Sequence, residues 1–133
     1  MKTEKIKEKY LHYGLEKDDI FKHQHYLIIT RSGIDKIQAI ESITIDYEVV
    51  KCEKDFCVVK ANATMMAQGS TRPTIQTFGS ALKGETYKDG NTNSWYVMEM
   101  AEKRAMSRAV LKLTGFYELG VFGEDESEDF KKK

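Results

Sequence analysis

The chain has 133 residues and balances 21 Lys and Arg against 21 Asp and Glu, which is not the charge of a strongly basic nucleic-acid binder. At 41% hydrophobic, with seven Tyr, six Phe and one Trp, it has the composition of a single globular domain with one core. No apolar run approaches a membrane span, and the charged start MKTEKIKEKY has no apolar segment behind it. A secretory leader is therefore not expected, the cytoplasm is, and Cys52 and Cys57 are expected to stay reduced there.

Residues 2–20 carry mixed charge with apolar Ile6, Tyr10, Tyr13 and Ile20, which predicts an N-terminal helix ending near Gly14. Tyr26 to Ile29 reads as a short buried strand. Ser32 is the expected cap of a short helix that carries Ile34, Ile37 and Ile40 on one side. From Ile43 to Val50 the pattern alternates, with Ile43, Ile45, Tyr47 and Val49 on one face and Thr44, Asp46 and Glu48 on the other. Glu53, Lys54 and Asp55 make a turn, Phe56 to Met65 returns, and Thr74 to Leu82 supplies a third strand. Asp89-Gly90 marks one more turn.

Ser94 to Gly115 then forms a long helix, with Ser94 as its expected N-cap (Thr92 and Asn93 compete) and Gly115 as a left-handed stop. Met98, Ala101, Ala105, Ala109 and Leu113 share one face, and three alanines there permit close approach to a sheet. Gly79 and Ser80 in the third strand are small enough to receive that seam. Beside the seam, Arg104, Arg108 and Lys112 recur every fourth residue as a basic ridge, with Lys103 next to it. The expected fold class is α+β, a three-stranded antiparallel meander packed by a long C-terminal helix, with N-terminal helices. Residues 1–122 form that domain and 123–133 a charged flexible tail, in which EDESED holds five of the acids. Without residues 124–133 the chain keeps 16 acids and 18 bases, a mildly basic body.

This order of elements resembles the core of the single-strand annealing proteins, which include phage Erf-like and RecT-like recombinases and the eukaryotic Rad-type annealing mediator. The residues that carry the likeness are MEMAEKRAMSRAVLKLTGF in the closing helix and ITRSGIDKIQAIESI upstream, over about residues 26–118. The resemblance implies a non-enzymatic homo-oligomer, ring or filament, of phage or mobile-element type that holds single-stranded DNA in a basic groove and pairs strands without ATP. The tail EDESEDF also resembles the acidic tip by which bacterial single-strand binding proteins recruit partners, although Lys131 to Lys133 follow Phe130 here. A protein partner for Glu124 to Phe130 is the corresponding expectation; a disordered solubilising tail is the simpler reading.

DNA binding needs cations for phosphates and aromatics for bases. The candidate residues are Arg104, Arg108, Lys112 and Lys103 on the helix, Lys54 in the hairpin turn, Arg72 in the loop before the third strand, and Tyr87 beside the Asp89-Gly90 turn. Lys51, Lys60, Arg31 and Lys36 are secondary cations, and Phe56 and Trp95 are expected in the core. No phosphate-binding Gly-rich loop, G-x-S-x-G or H-E-x-x-H occurs, so neither catalysis nor a cofactor is expected. His23, His25, Cys52 and Cys57 could supply four zinc ligands, but their spacing is no standard finger and strand pairing already explains the cysteines. Alternation makes Asp46 and Glu48 a solvated strand face rather than a nuclease cluster. The alternative to DNA binding is a protein-interaction module using an open sheet and the acidic tail.

Overall fold

A computed structural model describes residues 2–23, 26–65, 73–84, 90, 92 and 95–124. The order of elements is α1 (Lys2–His12), β1 (Ile20–His23), β2 (Tyr26–Ile29), α2 (Arg31–Glu41), β3 (Thr44–Cys52), β4 (Phe56–Thr64), β5 (Thr74–Leu82), α3 (Val97–Leu113) and β6 (Val121–Gly123). Strands β3, β4 and β5 form the antiparallel meander expected from the alternation, with Glu48 opposite Lys60 and Lys60 opposite Phe78. A bulge interrupts β3 between Val49 and Lys51.

Helix α3 lies across one face of this sheet. Cys57, Val59, Ala61 and Ala63 of β4 and Thr77, Gly79 and Ala81 of β5 are buried beneath it. The alanine seam meets Gly79, where an added Cβ would overlap the Ala101 carbonyl oxygen and stand 2.5 Å from the Ala105 amide nitrogen. Only glycine permits that approach. Thr77 fixes the register of helix on strand by donating from Oγ1 to the Ala105 carbonyl at 2.6 Å.

A second sheet escapes the sequence reading. Strands β1 and β2 form an antiparallel pair, and the three-residue β6 joins β2 in parallel. This sheet packs on the side of α3 away from the meander: a Cβ at Gly123 would lie 2.9 Å from Ser107 Cβ. The C-terminal half of α3 is consequently buried nearly all round, with Met106, Ser107, Val110 and Leu111 covered. Sheet pairing runs to Gly123, and the Glu124 carboxylate accepts from the Arg31 amide at 3.1 Å. The rest of the acidic tail lies outside the described residues.

Helix α1 docks on the far end of α3. Lys9 donates from Nζ to the Thr114 carbonyl and lies 5.4 Å from the Phe116 ring centroid, so its charge sits at the negative end of α3. Helix α2 starts at a different cap from the expected Ser32: the Thr30 hydroxyl accepts from the Gly33 amide. Ser32 instead donates to Asp19 at 2.6 Å. Ile34 and Ile37 are buried as expected, whereas Ile40 is exposed. No helix among the described residues is long and apolar enough to cross a membrane.

Candidate nucleic-acid interface

Helix α3 carries its charges on two flanks. Arg104 donates from Nη1 to the Ser80 carbonyl at 2.7 Å, and Arg108 donates likewise to the Phe78 carbonyl at 2.7 Å. Arginines four apart thus serve carbonyls two apart on the outer edge of β5. Farther along that strand, the Thr92 amide donates to the Leu82 carbonyl. The acids lie elsewhere: Glu102 stands near Tyr47 on β3, and the charge of Glu99 reaches Cys57 on β4. The arginines are thus on the β5 side of the helix, and Glu102 is on the β3 side.

This arrangement corrects the expectation of an exposed ridge through Arg104, Arg108 and Lys112. Arg104 is only 1% exposed; its aliphatic stem is enclosed between helix and sheet, and its guanidinium is committed to a strand edge. Arg108 is half-buried, Lys103 is half-buried, and Lys112 is exposed with Nζ 5.4 Å from the Tyr117 ring centroid. Arg72 and Tyr87 lie outside the described residues.

The stronger constellation is at the opening of α3. Trp95, expected in the core, is 59% exposed. Lys83 Nζ lies 4.3 Å from its ring centroid and Lys54 Nζ 5.4 Å. The chain is built to bring these three together. The Lys83 amide donates to the Asp55 carbonyl at 2.7 Å, tying the end of β5 to the β3–β4 turn that carries Lys54. The Gly84 amide donates to the Thr92 carbonyl at 2.9 Å, which holds the approach to α3 against the same strand end. Gly90 is required there, because a Cβ would overlap the Leu82 carbonyl oxygen. The N-cap of α3 is Tyr96 without a side-chain cap; Ser94 and Asn93 lie outside the described residues, and Thr92 is buried in the strand-end contact. Tyr96 is exposed beside Trp95, and Lys51 Nζ is 5.9 Å from the Phe56 ring centroid at the same end of the sheet.

A desolvated cation over an indole face is held by the ring quadrupole, but at an exposed site the gain is only about 0.5–1 kcal/mol. Lys54 and Lys83 are therefore readily redirected to a stronger anion. The face they vacate is a flat π surface with cations at its rim, the surface that nucleobases stack on. Lys54 was visible in the sequence as a turn cation. The meeting of Lys83 with Trp95 is not legible there, although a Trp beside a Tyr at a helix start, after polar Asn93 and Ser94, signals a residue outside the amphipathic seam.

No cluster of three or more His, Cys, Asp or Glu suited to a metal occurs among the described residues; His25 lies outside them. Comparison with protein-family models, curated proteins and solved structures found no match.

Proposed function

We propose that the protein is a non-enzymatic single-stranded DNA-binding protein of the annealing type, acting as a homo-oligomer. The observation that supports this reading is the exposed Trp95 face between Lys54 and Lys83. A duplex hides its base faces, whereas an unpaired strand offers every base to an aromatic ring, so this surface favours single strands. The arginines on the β5 side of α3 add phosphate attraction without the high net charge of a duplex binder.

Trp95 is the only tryptophan in the chain, so its fluorescence reports the site directly. Titration with oligo-dT at about 50 mM salt should quench it, and the affinity should fall steeply towards about 200 mM as phosphates exchange protein cations for salt. Trp95→Ala, followed by anisotropy of a labelled oligonucleotide, should weaken binding by about tenfold, within the range of one lost stack. Absence of any binding at about 50 mM salt would refute the reading.

A protein partner is the second reading, and β3 is the feature that favours it. Among the described residues nothing pairs with its outer edge, and Tyr47, Val49 and Val50 are exposed along it. Within the DNA reading this is the edge on which oligomers would form. Light scattering distinguishes the two: a strict monomer that binds no oligonucleotide would favour a separate protein partner.

A further inference from the structure

We infer that single-stranded nucleic acid runs along the β5 edge, with Phe78 as a second stacking station after Trp95. This rests on the DNA-binding reading above and adds to it a path, a second base-contact residue and a minimum ligand length.

Phe78 lies on the face of the meander that no described element covers, and it is 50% exposed although it sits mid-strand. Alternation places it with Gln76, Ser80 and Leu82 on that face, opposite in orientation to the buried Thr77 and Gly79. Across β4 its register partner is Lys60, which is held 3.6 Å from the Glu48 carboxylate. On its open side, the Arg108 guanidinium reaches its carbonyl, and the exposed Lys112 follows one turn later. An exposed ring thus lies on the open face of the edge strand whose carbonyl receives Arg108 from the α3 side, while Glu102 acts on Tyr47 of β3 at the other side of the sheet. The polarity suits a polyanion along β5 and disfavours one along β3.

The edge chemistry also selects the occupant. A protein strand adding to β5 would need its carbonyls as acceptors. Those of Phe78, Ser80 and Leu82 already receive Arg108, Arg104 and the Thr92 amide. A nucleic-acid strand needs none of them: its bases require the ring, and its phosphates require the rim cations.

Lys83, beside Trp95, is five positions along the chain from Phe78, about 17 Å at the rise of an extended chain. At about 3.4 Å per stacked nucleotide, roughly five nucleotides span the two stations. A ligand shorter than that reaches one station only.

The test is anisotropy of labelled dT12 and dT3 with the full chain and with Phe78→Thr, a residue that suits a strand. On dT12, Phe78→Thr should weaken binding by about tenfold, the scale of one lost stack, and Phe78→Tyr should restore it. On dT3 the same substitution should change affinity by far less than it does on dT12. If the wild-type protein binds dT12 and Trp95→Ala weakens it while Phe78→Thr does not, the β5 path is wrong and the DNA-binding reading stands. If the wild-type protein binds neither oligonucleotide, both fall. If Phe78→Thr instead lowers the oligomeric mass in light scattering with affinity per subunit unchanged, a second copy covers this face and the path is overturned.

Discussion

Arg104 donates to the Ser80 carbonyl from inside the protein, so its cation serves as a cap on a strand edge. A buried guanidinium left without its acceptor is costly, and an exposed strand edge is prone to pair with other chains. Arg104→Ala should therefore lower stability by about 2–3 kcal/mol, since it removes a charged hydrogen bond and leaves the edge carbonyl bare. Arg108→Ala, half-exposed, should cost about 1 kcal/mol. Arg104→Lys should recover only part of the loss, because an ammonium lacks the planar fork. Urea denaturation reads all three; equal stability of wild type and Arg104→Ala would reject the edge-cap role.

Gly79→Ala tests the contact that places α3. The new methyl would meet the Ala101 carbonyl and Ala105 amide, both backbone groups of a rigid helix. Neither can yield without moving the helix off the sheet. The expected loss is about 3 kcal/mol, at the upper end of overpacking costs, or failure to fold. Gly14→Ala is the control. Gly14 has φ +65° with open space around the position, so only the left-handed penalty of about 1–2 kcal/mol applies. A smaller loss at Gly79 than at Gly14, measured by chemical denaturation, would contradict the close approach.

The meander was legible because its strands alternate over nine residues and end at turn residues; β5 occupies Thr74–Leu82 as read. The alanine seam likewise announces a close-packed helix, and Gly79 its partner. Strands β1 and β6 were not legible. Four residues, IFKH, and three, VFG, are too short to show a period, and β6 is stabilised by a parallel partner some ninety residues away in sequence. The sequence likewise misplaced Arg104. Spacing shows that Arg104 and Arg108 share a flank beside the alanines, but not that the β5 edge ends just there. The N-terminal elements pack on the side of α3 away from the meander, and Phe78 on the meander's outer face is exposed.

Asp19 makes stability fall in acid. Its carboxylate accepts from the Glu16 amide at 2.9 Å, from Lys36 at 2.6 Å and from the Ser32 hydroxyl at 2.6 Å. Those contacts, the Glu16 amide foremost, hold its pKa down to about 2. An unfolded Asp titrates near 3.9, so the folded state favours the ionised form. The resulting stabilisation is fully present above about pH 5 and is lost as the pH falls towards 2. Because Lys36 is partly solvated, about 1–2 kcal/mol is at stake. Asp19→Asn should lower stability at pH 7 by about that amount and flatten the decline between pH 5 and 2. An unchanged acid limb in urea titrations would remove Asp19 from the account.

Cys52 and Cys57 are register partners in the β3–β4 hairpin, and the Cys57 thiol points at Cys52 Sγ from 3.7 Å. Directly opposed strand residues have Cα atoms about 4.5–5.5 Å apart, which lies within the span of a disulfide. The two thiols differ in access: Cys52 is exposed and Cys57 buried. Burial, then the hydrogen bond to Cys52, raises the pKa of Cys57. With oxidised glutathione, the Cys52 thiolate should attack one sulfur, form a mixed disulfide and release one glutathione thiolate. Cys57, after giving its proton to water, then displaces the second glutathione and closes the bond. Mass spectrometry of the product should show the loss of two hydrogens. Cys57→Ser should stop at the mixed disulfide, and Cys52→Ser should react far more slowly. The closing step should quicken as pH rises, because the buried Cys57 must first ionise. Wild-type protein that accumulates only the mixed disulfide at high pH would show that the pair cannot close.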